Sequence, residues 1–179
     1  AIQNFFVQQS TSLGDEFWEQ RRYRSLGDCQ VEPIQQILSD RLDEGLSIGR
    51  SQYFNVLEVY SRNAESSAMG QLKKSFALSI ENNDEELQIN TIMAFSDAAQ
   101  VSGSGVGNQK TALKAGKFIR LSADKLGPKA LAQARLTLQQ LGNEEAADEL
   151  VNYVFADLHQ EDESFLWGLV LVQNTTCKN

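Results

Sequence analysis

Apolar residues return every three to four positions along most of this chain, the interval that places them on one side of an α-helix. Ile34, Ile37, Leu38 and Leu42 form one such stripe, opened by Pro33, whose fixed φ suits a first helical turn, and closed by Gly45. Tyr53, Val56, Leu57 and Tyr60 form the next, and Met69, Leu72, Phe76 and Ile80 form another after a break at Glu65-Ser66-Ser67. Asn83, with Glu86 three residues on, reads as a capping-box start to a helix whose inner face is Leu87, Thr91, Ala94, Ala98 and Val101. Upstream, Ser12-Leu13-Gly14-Asp15 resembles a helix start and Gly27-Asp28 an end.

The Gly/Ser segment 102–108 then interrupts the periodicity. Residues 110–126 read as a helix with Ala112, Ala115, Gly116, Ile119, Ser122 and Ala123 on one side, a face of small residues that lets another helix come close. Pro128 opens a helix to Leu141 with Leu131, Ala134, Leu138 and Leu141 inward, and Gly142 follows as a turn. Residues 144–159 carry Ala147, Leu150, Val151, Val154 and Leu158 at helical spacing, with Glu144, Glu145 and Asp148 near the positive end of the helix dipole. The segment 164–173 is apolar nearly all round, which predicts burial whether it is helical or extended. No run alternates with period two over strand length, and only two prolines interrupt the chain. The pattern predicts one all-α domain over 1–179, an array of antiparallel helix hairpins with about eight helices.

Charge narrows the partners. Lys and Arg number 16 against 24 Asp and Glu, a net charge of −8, which repels polyanions at long range and argues against nucleic acid as the main partner. The longest apolar run, from Phe165 to Val172 with Gly168 inside it, is far shorter than the roughly 20 residues of a transmembrane helix. Cys29 and Cys177 are the only cysteines and allow one bridge, which would close a loop of almost the whole chain. The chain-entropy account assigns such a closure about 5 kcal/mol. A bridge, together with a start at Ala1 that suits a cleaved product, points to a periplasmic or secreted protein; free thiols point to the cytoplasm.

Two clusters have the composition of a binding surface. Trp18 beside Arg21, Arg22 and Tyr23 gathers residue types that dominate interface hot spots. Lys110, Lys114 and Lys117, continued by Arg120 or Lys125, form a basic stripe suited to an acidic partner or anionic polymer. A half-buried tryptophan beside a solvated basic turn, and an ordinary solvated face, are the plainer readings of the two. Chemistry finds less support. His159 is the only histidine, neither Cys-x-x-Cys nor His-x-x-x-His occurs, and Gly103-x-Gly105 follows a predicted helix where a phosphate loop would follow a strand. No cofactor, metal or catalytic set is expected. Asp15, Glu16 and Glu19 are carboxylates from which a glycosidase pair could be drawn, but they also sit where a helix start favours acids.

Gly103-Ser104-Gly105-Val106, then Thr111-Ala112-Leu113-Lys114, then residues 118–124 and Ala130, resemble the Sel-one-like subfamily of tetratricopeptide-like repeats. Leu131, Leu138, Gly142 and Ala147 are similar to the large residue, turn glycine and small alanine of a tetratricopeptide unit. The resemblance covers 103–158 and departs from the pattern at Arg135, where the repeat carries a small residue. It implies a protein-binding superhelix. The function expected is therefore a non-enzymatic scaffold or adaptor for a protein partner, probed against two rivals: a secreted inhibitor or immunity-type protein, and a helical glycan hydrolase.

Overall fold

A computed structural model describes residues 32–100 and 108–142. The expectations for 12–26, 144–159 and 164–173, and those for Cys29 and Cys177, lie outside the described residues. Within them the chain is helical, with no strand.

The first helix, α1 (Glu32–Asp43), buries Ile34, Leu38 and Leu42 as their spacing predicts. A 3₁₀ turn, Gly45–Ile48, follows, flanked by Gly45 and Gly49 at φ +64° and +88°, where a side chain would be strained. In α2 (Arg50–Ala64), Tyr53, Val56, Leu57 and Tyr60 all point into the core. A second 3₁₀ turn, Glu65–Ala68, occupies the Ser-rich break and leads into α3 (Met69–Glu81), which buries Leu72 and Phe76. Tyr53 carries more than apolar bulk: its hydroxyl lies 2.6 Å from Ser75 Oγ and joins α2 to α3 inside the core. Burial pushes the Tyr53 phenol above its ordinary pKa.

Next comes α4 (Glu85–Gln100), then α5 (Gln109–Leu121), and after a short 3₁₀ turn at Ala123–Lys125, α6 (Pro128–Gln140). The helix read over 110–126 is thus shorter than its periodicity predicts. Ser122 turns its N–H to the Ile119 carbonyl (3.1 Å), an i−3 bond that tightens the chain and ends α5.

Among these elements α4 is central. It packs against α2, α3, α5 and α6, whereas α1 is held mainly through α2. Of the expected face, Leu87, Thr91, Ala94 and Ala98 are buried and Val101 lies outside the described residues; a second face, Gln88, Ile92, Phe95 and Ala99, is buried as well. Phe95 and Phe76 both contact the Phe118 ring, at centroid distances of 5.2 and 5.3 Å, which joins α3, α4 and α5 in one aromatic cluster.

The start of α4 differs from the expected capping box. Asn83 adopts φ +49° and serves the preceding helix: its N–H reaches the Ile80 carbonyl (3.1 Å), and that of Asp84 reaches Ser79 (2.8 Å), the paired bonds of a Schellman ending. Asparagine tolerates this left-handed conformation better than most side chains. The cap of α4 is Asp84, whose Oδ1 accepts the Leu87 N–H at 2.9 Å. Glu86 does not reach back to cap the helix. It and Asp84 bind Arg50 of α2, at 2.8 and 2.7 Å.

Glu85, between them, reaches a different helix. Its Oε1 accepts the N–H groups of Lys129 (2.7 Å) and Ala130 (3.3 Å) in the first turn of α6, while Gln88 Oε1 accepts that of Gly127 (3.0 Å). The N-cap of α6 is Gly127, which has no side chain to cap with, so α4 supplies the acceptors. Gly127 has φ −67°, an ordinary value, and its glycine is required for space: a Cβ there would overlap the Glu85 carboxylate.

The contact of α2 with α4 also holds an acid in poor solvation. Asp97 is 32% exposed, and burial pushes its carboxyl up to about 6, with Arg62 lowering it and Glu58 raising it by smaller amounts.

Two expectations follow from these contacts. Glu85→Ala should cost about 1–2 kcal/mol, the usual loss on removing a helix cap. Gly127→Ala should destabilise the wild type by displacing the same carboxylate, yet be neutral or stabilising in the Glu85→Ala background, where the Cβ has room and the unfolded chain loses freedom. Urea unfolding of the four proteins measures this; additive effects would contradict the shared contact. For Asp97 the folded pKa is raised above the unfolded value, so the protonated carboxyl favours folding and this contribution is lost as pH rises through the folded value. Wild-type stability relative to Asp97→Asn should therefore fall between about pH 4 and pH 6 and level off above; a flat difference across that window would contradict the assignment.

Candidate partner-binding surface

Asn108 sets the start of α5. Its side chain accepts the Thr111 N–H at 3.1 Å, and its own N–H donates to the Ala99 carbonyl at 2.8 Å, which anchors the helix start to the end of α4. The sequence of α5 then divides cleanly. Thr111, Ala115 and Ile119 are buried, and Gly116 lies near enough to α6 that a Cβ there would be 3.6 Å from Leu138 Cδ2. The small-residue face expected from the sequence is the face that packs.

The opposite side holds the stripe of Lys110, Lys114 and Lys117, all exposed, with Arg120 exposed beside it. Helical spacing places Leu113 and Leu121 on this same outward side, where they are 75% and 71% exposed. Most exposed leucines need no explanation, but two on one face flanked by four cations form a basic amphipathic surface. No acid occurs in α5, so the alternation of charges that marks an ordinary solvated helix is missing. In a chain of net charge −8 this is a local reversal of sign.

A groove of about 400 Å³ adjoins it between the end of α5 and α6. Ile119 and Ala123 form one wall and Leu131, Ala134 and Leu138 the other, with Arg120 and Arg135 among the lining residues. Alanines at 123 and 134 leave the space that larger side chains would fill. Arg120 belongs to both features, so the basic face runs into the groove.

The structure brings Lys110, Lys114 and Lys117 together as the sequence predicts. Trp18, Arg21, Arg22, Tyr23, Cys29, Cys177 and His159, and the acids Asp15, Glu16 and Glu19, lie outside the described residues. Leu113 and Leu121, which the sequence places only in the repeat resemblance, join this face, and their spacing shows it: each falls four positions or fewer from a lysine of the stripe and opposite Ala115 and Ile119. Among the described residues no group of His, Cys, Asp or Glu is arranged to hold a metal ion, and no helix is long and apolar enough to cross a membrane. Comparison with known proteins finds no matching family, no similar characterised protein and no similar solved structure.

Proposed function

We propose that this protein is a non-enzymatic helical scaffold that binds an acidic, leucine-type segment of a protein partner on the outward face of α5 and in the adjoining α5–α6 groove. The observation that carries the reading is the pairing of exposed Leu113 and Leu121 with Lys110, Lys114 and Lys117 on one helix face. Leucines bury apolar area against a partner, and lysines select acidic residues and speed the encounter. The groove offers room for an apolar side chain. The resemblance of 103–158 to tetratricopeptide-like repeats supports the same reading, and the close approach of α5 and α6 at Gly116 is what such a helix pair needs. The even count of cysteines supports a periplasmic or secreted setting for the scaffold.

Two designed amphipathic peptides test this, one with glutamates around a leucine stripe and one with lysines in their place. The acidic peptide should bind the full chain, and the joint change Lys114→Glu, Lys117→Glu should weaken it at least tenfold with salt-sensitive loss. Stability should change by less than about 0.5 kcal/mol per substitution, because these side chains are exposed. Leu113→Asp should also abolish binding. Equal binding of both peptides, or indifference to the lysine changes, would contradict the proposal, and binding to anionic vesicles in place of the peptide would replace the protein partner with a membrane surface.

A further inference from the structure

The lysines of the α5 face lack what other cations of the fold have. Arg50 is met by Asp84 and Glu86, Arg62 by Glu58 and Lys74 by Asp43, whereas among the described residues no ion pair forms at Lys110, Lys114 or Lys117. Composition is the cause. Residues 108–135, which span α5, the turn after it and most of α6, hold seven Lys or Arg and one acid, Asp124. The opposite charge comes next in the chain. Residues 143–177 hold eight Asp or Glu and no Lys or Arg, so the net charge of −8 resides in that block and the rest of the chain is balanced.

Within this block, residues 144–158 have the chemistry that the α5 face selects. Glu144, Glu145, Asp148, Glu149 and Asp157 accompany an apolar stripe of Leu150, Val151, Val154 and Leu158 at helical spacing. Position agrees with chemistry. Gly142, at φ +88° and with its N–H on the Gln139 carbonyl (2.9 Å), ends α6 in a left-handed turn that changes the direction of the chain. Gly116, in the middle of α5, lies against Leu138, and Gly142 is only one helical turn, about 6 Å, beyond Leu138. The segment therefore starts beside α5. Its length suits the face as well: fifteen residues of helix span about 22 Å and the 13 residues of α5 about 20 Å.

We propose that residues 144–158 dock on the outward face of α5 and in the α5–α6 groove as an internal ligand, which an acidic partner segment must displace. The acids of the segment meet Lys110, Lys114 and Lys117, and its apolar stripe covers Leu113 and Leu121. The inference rests on the reading of this face as a docking surface for acidic, leucine-type sequence, and adds its regulation. A tethered segment acts at an effective concentration in the millimolar range, so a contact that is weak between separate molecules is enough to occupy the face. The apparent affinity of a partner then falls in proportion to the fraction of molecules whose face is open.

Zero-length carbodiimide cross-linking of the full chain, with peptide mapping of the monomer by mass spectrometry, tests the contact. Lys74 and Asp43, 3.0 Å apart, are its internal control. The monomer should yield amide links from Lys114 or Lys117 to the acids of residues 144–149, and added salt should suppress them. Their absence while the control link forms would overturn the proposal, and so would links confined to a dimer, which would place a second copy on the face. Displacement is read from the designed acidic peptide. The full chain carrying Glu144→Gln, Glu145→Gln, Asp148→Asn and Glu149→Gln, its fold checked by circular dichroism, should bind that peptide about tenfold more tightly than the wild type, as expected when one face in ten is open. Equal affinity would overturn the displacement. Links in the monomer with no peptide bound by either protein would overturn the partner reading of the face and support the internal contact, so the two fail separately.

Discussion

Three consecutive carboxylates at the head of α4 hold the described fold in register. Asp84 caps α4 itself, Glu85 caps α6 across space, and Glu86 joins Asp84 in fixing Arg50 at the start of α2. Each meets a positive partner suited to a carboxylate: the free N–H groups of a helix start in two cases and a guanidinium in the other. The exposed Arg50 pairs contribute little alone. Glu85 matters more, because Gly127 cannot cap α6 and the first-turn N–H groups would otherwise be left partly buried without an acceptor. Since the three residues are adjacent, rotating the start of α4 would disturb all three contacts together.

Everything beyond that point depends on α4 lying inside. A helix packed against four neighbours must be apolar or small on more than one face, and the Ala94, Ala98 and Ala99 positions let the surrounding helices close in. The exposed faces are what this arrangement leaves over. Since α5 is packed on one side only, its other side is free to carry Lys110, Leu113, Lys114, Lys117 and Leu121 without cost to the core. Along the α2–α4 contact, Met93 and Asp97 diverge from Phe54 and Glu58 far enough to leave a cavity.

Much of the helical architecture was legible in the order of residues. Pro33, the stripe from Ile34 to Leu42, Gly45, Pro128 and Gly142 mark local events, and local chemistry alone decides them. The second buried face of α4 was not legible, because Gln88 and Ser96 look solvated in sequence and are buried only by tertiary packing. The choice between Asn83 and Asp84 as cap depended on how α3 ends, which one helix's pattern does not contain. Glu85 and Gly127 are far apart in the chain, so their contact has no local signal at all. The basic stripe was visible in the lysine spacing, while the exposure of Leu113 and Leu121 depends on which side of α5 the neighbouring helices cover. The Glu58, Arg62 and Asp97 cavity depends on how α2 crosses α4, and spacing does not fix that.

The contacts of α4 should make it the most stable element, with α6 tied to it through Glu85. Native-state hydrogen exchange on the wild type and Glu85→Gln measures both at once. The amides of Ile92 and Phe95 should exchange only through global unfolding, and the substitution should lower protection along α6 by more than along α2. Faster exchange in the middle of α4 than in α2 or α3, or an equal loss of protection in α2 and α6, would contradict it.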